Sequence, residues 1–245
     1  MNIFLAVLSG AVFLALAWFG AGVLHRRLVT ARLAARCAER RAIVLSYDDG
    51  PSDRVTPALQ DLLRQHEVKA TFFAIGAEAK AQPAVLAGLL ADGHEIGSHT
   101  ENHGNAWKSA PVGAIRDLSA GQATLSALGV RTVLFRPPFG KSTLGTLLAG
   151  LGRGMRFAFW TVDSRDSWAP RGIDDILREI GDKNGGVVLM HDFNRARRGP
   201  RPEAHATYVL ELTAALIGFA RREGFTLMRF GDLTAPATAL PGGKA

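Results

Sequence analysis

Cysteine is almost absent from this 245-residue chain: Cys37 stands alone, which excludes an intrachain disulfide framework and a cysteine-rich zinc module. Charge is sparse at 21% against 47% apolar residues, a balance that excludes intrinsic disorder, a collagen-like fibre and a coiled coil. No internal repeat is evident. Acidic residues are nearly missing from residues 1–41, where six arginines (Arg26, Arg27, Arg32, Arg36, Arg40, Arg41) face Glu39 alone. That segment holds most of the chain's formal charge of +7, and the remainder is close to balanced. A nucleic-acid binder would carry its excess on the folded domain, so no nucleic-acid partner is expected.

From Ile3 to Leu24 there is no charged residue at all. As a helix this run would reach roughly 33 Å, enough to cross a bilayer core of about 30 Å. A cleaved signal peptide would want a basic n-region and a shorter apolar stretch. The expectation is a single uncleaved membrane-spanning helix over residues 1–25, a basic juxtamembrane segment over 26–41, a catalytic domain over 42–233 and a loose Pro/Gly/Ala-rich tail over 234–245. The arginines behind the span predict that the domain lies in the cytoplasm, an extracytoplasmic placement remaining open.

After Arg41 short β-rich runs alternate with helical stretches. AIVLSY (42–47), KATFFAI (69–75), HEIGS (94–98), TVLF (132–135), FAFWTV (157–162), GVVLM (186–190) and FTLM (225–228) read as strands. Helical spacing is expected over 55–66, 77–91, 111–128, 142–151, 172–181 and 204–222. This alternation without hairpin signals predicts an α/β fold with a mostly parallel sheet, a barrel slightly smaller than the eight-stranded type.

Polar residues gather where those strands end. Asp48-Asp49-Gly50 follows the first strand, His99-Thr-Glu-Asn-His103 the third, Arg136-Pro-Pro-Phe-Gly140 the fourth, Asp163-Ser-Arg-Asp166 the fifth and His191-Asp192 the sixth. In a parallel barrel all of these lie on the face where such folds place chemistry. Adjacent carboxylates at 48 and 49 repel unless a cation sits nearby. His99 and His103, at i and i+4, would present both imidazoles on one side of a helical turn. With one carboxylate they form a trio that leaves coordination positions open for water and substrate. Arg136, stiffened by two prolines, can pair with a carboxylate and keep it ionised.

Together SYDDG (46–50), HTENH (99–103), RPPFG (136–140), DSRDSW (163–168) and LMHD (189–192) resemble the five ordered motifs of the polysaccharide deacetylases, the NodB-homology or family-4 carbohydrate esterases. The likeness spans about residues 42–230. It implies a distorted (β/α)7 barrel of the NodB type. It implies Asp49, His99 and His103 as metal ligands, Asp48 as general base with Arg136 orienting it, and His191 as general acid with Asp166 beside it. Phe139 and Trp168 would contact substrate. Two positions depart from the pattern: Ser46-Tyr47 stands for Thr-Phe, and Ser167 separates Asp166 from Trp168.

The implied activity is metal-dependent removal of N-acetyl groups from an amino sugar in a polysaccharide, oligosaccharide or lipid-linked glycan. Zinc is the first expectation for the ion, with cobalt, manganese or nickel as alternatives. Deformylation of a lipid-linked amino sugar and O-acetyl esterase activity use the same residues. A catalytically dead sugar-binding module would lack a ligand or the base, and neither is missing. A second basic cluster (Arg195, Arg197, Arg198, Arg201) follows His191, where Arg197 and Arg198 are expected to hold a phosphate or the lipid surface. No protein partner is implied.

Overall fold

The structure is a computed structural model that describes residues 2–194 and 201–235. Eight short parallel strands form one curled sheet: β1 (Ala42–Asp48), β2 (Thr71–Ala74), β3 (Glu95–Ser98), β4 (Leu134–Phe135), β5 (Arg156–Phe157), β6 (Val162–Asp163), β7 (Gly186–His191) and β8 (Thr226–Leu227). The order is β5-β4-β3-β2-β1-β7-β6, with β8 joining the lower end of β1. The helices are α1 (Asn2–Arg40), α2 (Val55–Gln65), α3 (Gly76–Ala81), α4 (Pro83–Ala91), α5 (Pro111–Ala127), α6 (Leu144–Leu151), α7 (Ile173–Asp182), α8 (Pro202–Glu223) and α9 (Phe230–Thr234). The parallel α/β barrel expected from the alternation of strands and helices is found as a curled half-barrel.

Strand β1 shows how the core divides. All seven residues are buried. Ile43, Leu45 and Tyr47 point outward and pack with Leu59 and Leu63 of α2 and with Val209, Leu212 and Leu216 of α8. Ala42 and Val44 point inward among Phe73, Phe135, Phe157, Phe159 and Val187. Because side chains alternate along a strand, Ser46 and Asp48 continue the inward face and make its upper end polar. The registers with β2 and β7 set Asp48 opposite Phe73 and His191, so the functional side chains share one rim.

Two expected elements are split. FAFWTV is not one strand: β5 pairs with β4, β6 pairs with β7, and Ala158–Trp160 turn between them. The sheet is open there. The 77–91 helix breaks at Gln82, because Pro83 has no amide hydrogen to continue α3 and instead starts α4.

Helix α1 fills the opening. It is long and apolar enough to cross a membrane by length and composition. It runs unbroken through Arg40, and its lower half belongs to the barrel: Leu33 and Cys37 are buried within the inner core. His25 lies edge-on to Phe157, and Arg26 stacks over Trp160, bridging the gap between β5 and β6. At Gly22 the helix backbone touches the Ser142 carbonyl so closely that any side chain would collide with it. Arg36 and Arg40 donate to the Thr234, Asp232 and Ala235 carbonyls at the end of α9. Arg41 reaches Asn184 and the Glu223 carbonyl. Three of the six N-terminal arginines therefore close the bottom of the barrel.

Candidate metal centre and its flanks

Asp49, His99 and His103 converge at the upper rim. Asp49 Oδ1 lies 3.4 Å from His99 Nε2 and 3.1 Å from His103 Nε2. One ligand atom from each of the three falls within 4.8 Å of the others. Atoms bound about 2.1 Å from a common ion at the tetrahedral angle would stand roughly 3.4 Å apart, so the donor set fits a divalent ion. The His99 ring supports this. Its Nδ1 donates to the Arg136 carbonyl at 2.7 Å, which leaves the Nε2 lone pair directed at Asp49. Burial alone would raise the Asp49 pKa. The imidazoles of His99, His191 and His103 around it outweigh burial and hold the carboxyl well below the usual range.

The two histidines do not meet on a helix. Residues 99–103 are loop, and Thr100 and His103 adopt left-handed backbone angles (φ 66° and 59°). The His103 amide donates to the Thr100 hydroxyl, closing a tight turn that brings the ring centroids to 5.0 Å. The i, i+4 spacing thus reaches the right pairing by a different backbone path. A strand end leading into a turn and a helical turn both return the chain over four residues, and spacing does not separate them.

On one side of the trio stands Asp48. Its Oδ1 accepts from Arg136 Nη1 at 2.6 Å, and its Oδ2 is 3.8 Å from His99 Nε2. Arg136 is fully buried. The same Nη1 donates to Ser46 Oγ, Nη2 to the Phe159 carbonyl, and the guanidinium lies 3.9 Å from the Phe73 ring centroid. The serine that replaces threonine at position 46 is thus a hydroxyl acceptor for this arginine, and it donates onward to the Val188 carbonyl.

On the other side stands His191. Its Nδ1 is 2.8 Å from Asp166 Oδ1, and its backbone amide donates to Asp166 Oδ2. Ser164 Oγ also donates to Oδ1. The extra residue Ser167 leaves this contact intact. Burial would lower the His191 pKa, but the Asp166 carboxylate, with Asp49 and Asp48 beyond it, pushes it up to about 10. Burial would raise Asp166, yet the charges and hydrogen bonds of His191 and His205 hold it well below the usual range. Asp192 accepts from Thr56 Oγ1 at 2.6 Å, and burial with Asp49 and Asp48 nearby pushes it up to about 7.

His205 was not expected. Its Nε2 lies 3.0 Å from Asp166 Oδ2, and its ring stacks on Phe193 at 4.4 Å. Only its place on the inner face of the 204–222 helical run could have marked it, and that pattern suits a core residue equally well.

Phe139 and Trp168 remain at the rim, about half exposed. Phe139 has a left-handed backbone (φ 59°), and its ring is 4.7 Å from that of His103. Trp168 carries Arg165 over its face. Arg195, Arg197 and Arg198 lie outside the described residues, as does the tail beyond Ala235.

A family model for polysaccharide deacetylase matches residues 35–158. A chitooligosaccharide deacetylase of Azorhizobium caulinodans is 37% identical over 164 residues, covering 65% of this chain and 78% of the relative. A peptidoglycan-N-acetylglucosamine deacetylase of Bacillus cereus is 35% identical over 161 residues, covering 64% and 75%. The solved structure of the chitin deacetylase from the fungal pathogen Colletotrichum lindemuthianum superposes with a TM-score of 0.66 at 26% identity, covering 81% of this chain and 89% of that one. The half-barrel, the ordered motifs and these relatives lead to one conclusion: the chain belongs to the polysaccharide deacetylase family.

Proposed function

We propose that this chain is a metal-dependent N-deacetylase that releases acetate from an N-acetylated amino sugar. One observation carries the reading: a two-histidine, one-aspartate donor set is flanked by two carboxylates with opposite kinds of partner. A divalent ion held by Asp49, His99 and His103 would lower the pKa of water and polarise the acyl carbonyl.

The chain's own groups supply the proton transfers. Asp48, fixed by Arg136, takes a proton from the attacking water through the oxygen turned toward the donor set. Arg136 keeps its protons near neutrality, so it orients Asp48 without competing as an acid. The Phe139 backbone amide would donate to the developing oxyanion, a contribution of about 3 kcal/mol for one donor. His191 is held charged by Asp166, and its Nδ1 is occupied. Nε2 therefore delivers the proton to the leaving amine. Water adds across the amide, and the products are a free amino sugar and acetate.

Product analysis tests this. Purified chain should release acetate, and equal free amine, from N-acetylated chitooligosaccharide or peptidoglycan fragments. Formate from an N-formyl sugar at a higher kcat/KM would favour deformylation instead. Acetate without amine would favour an O-acetyl esterase.

The apolar half of α1 is read as a retained membrane anchor. Its continuity with the barrel-filling half supports this, since Trp18 packs on Gly145 and Gly22 on Ser142. The arginine-rich flank favours a cytoplasmic domain, although Arg36, Arg40 and Arg41 also serve the fold. A reporter fused to the C-terminus should give the cytoplasmic signal.

A further inference from the structure

We propose that the catalytic rim faces the bilayer that holds α1, and that the acylated amino sugar it takes is one tethered to lipid. The inference rests on the deacetylase reading and on the retained anchor.

The direction of α1 carries it. At its lower end the Ala38 carbonyl accepts from Asn184, just below β7, and Arg40 caps α9. At residue 22 it touches Ser142, on the loop above β4 that begins with Arg136 and Phe139. Further up, Phe19 lies edge-on to Trp107, in the loop above β3 that carries His99 and His103. Trp18 touches Gly145 at the start of α6. From Gly22 to Arg40 the helix spans about 27 Å, the whole height of the barrel, antiparallel to the strands. The apolar turns before Gly22 can only leave the domain on the side of the catalytic rim.

Residues on that side suit a headgroup layer. Trp107, Phe139 and Trp168 are exposed there, with Lys108, Lys141 and Arg165 among them. Lys141 lies over Trp107 and Arg165 over Trp168. Aromatic rings and cations are the side chains that settle at a membrane surface. They follow β6, one edge of the opening that α1 fills, and β4 and β3, the second and third strands from its other edge. Of the acidic rim residues, Asp53 and Glu78 follow β1 and β2 at the middle of the sheet, while Glu101 after β3 and Asp163 at the end of β6 are engaged by Lys80 and by the Arg165 amide. A sugar on a short lipid tether would meet the site directly, whereas a site on the barrel's opposite end would lie about 27 Å further from the bilayer.

The test uses the full chain in phospholipid vesicles, with Cys37→Ala and one new thiol carrying a fluorophore. Lys108→Cys labels the rim, and Asp182→Cys labels the exposed end of α7 at the opposite end. A quencher attached to lipid headgroups should dim the first label strongly and leave the second unchanged. Equal quenching, or the reverse order, overturns the orientation. On the same vesicles, N-acetylglucosamine joined to a phospholipid by a short linker should be deacetylated with kcat/KM on the order of 10²-fold above free chitooligosaccharide, through its raised local concentration. Equal or lower turnover of the tethered sugar overturns the substrate assignment. Hydrolysis of neither sugar overturns the deacetylase reading and the substrate with it, while the quenching still reports which way the rim points.

Discussion

The two flanks of the metal centre are built from the same materials and differ in one partner. Each places a buried aspartate beside a cationic side chain at nearly the same distance, 2.6 Å for Asp48–Arg136 and 2.8 Å for Asp166–His191. On the first flank the cation cannot release a proton near neutrality, so in the proposed reaction the aspartate is the group that exchanges one. On the second the cation can, and the aspartate is locked beneath it by Ser164, His205 and the His191 amide. In the proposed reaction, base and acid follow from which member of each pair is titratable and faces the site.

Exchanging the members should break this difference unequally. The largest effect is expected for Asp48→Asn, which keeps size and packing but removes the proton acceptor. Steady-state kcat should fall by about 10³-fold or more, while elemental analysis still finds the ion. Equal retention of activity would remove Asp48 from its role. Asp166→Asn should cost on the order of 10²-fold in kcat, because His191 loses the charge that keeps it an acid. Its pH profile carries the sharper sign. In the proposed reaction His191 acts in its charged form, so wild-type activity should fall as pH rises through about 10. In Asp166→Asn the alkaline limb should move down toward the ordinary histidine value of about 6.5. The same linkage acts on stability: the His191–Asp166 contribution is complete below the unfolded value and is lost as pH rises through the folded one.

The smallest effect is expected for His205→Gln, which keeps a donor to Asp166. A loss of roughly tenfold or less in kcat is predicted, with the alkaline limb almost unmoved. His205→Ala, which leaves that oxygen unpaired, should be the more damaging of the two. Arg136→Ala sharpens the comparison from the stability side. It strands the buried Asp48 charge and should cost about 3–5 kcal/mol in a denaturation experiment, against little for the exposed Trp168→Ala.

The sequence made much of this legible. Five polar motifs at five strand ends located the rim, and the strands around them are found with boundaries shifted by a few residues. AIVLSY reads as a buried strand, and all seven residues of β1 are buried. The misreadings have physical causes. FAFWTV is continuously apolar whether it is one strand or two short ones around a turn, because both forms bury it. HTENH carries no signal that separates a left-handed turn from a helical one. His205 is remote from His191 in sequence, and only the packing of α8 on β7 brings it to Asp166. The lower half of α1 reads as a charged juxtamembrane stretch because its arginines outnumber Leu33 and Cys37, the side chains that enter the core.

The central claim concerns the ion between the flanks. Metal content and acetate release should be measured together on wild-type enzyme, on chelator-stripped enzyme and on His103→Ala. The account predicts about one ion per chain in the wild type, loss of ion and activity together in the other two, and recovery of the stripped sample when a divalent ion is returned. Undiminished acetate release from metal-free enzyme would contradict it.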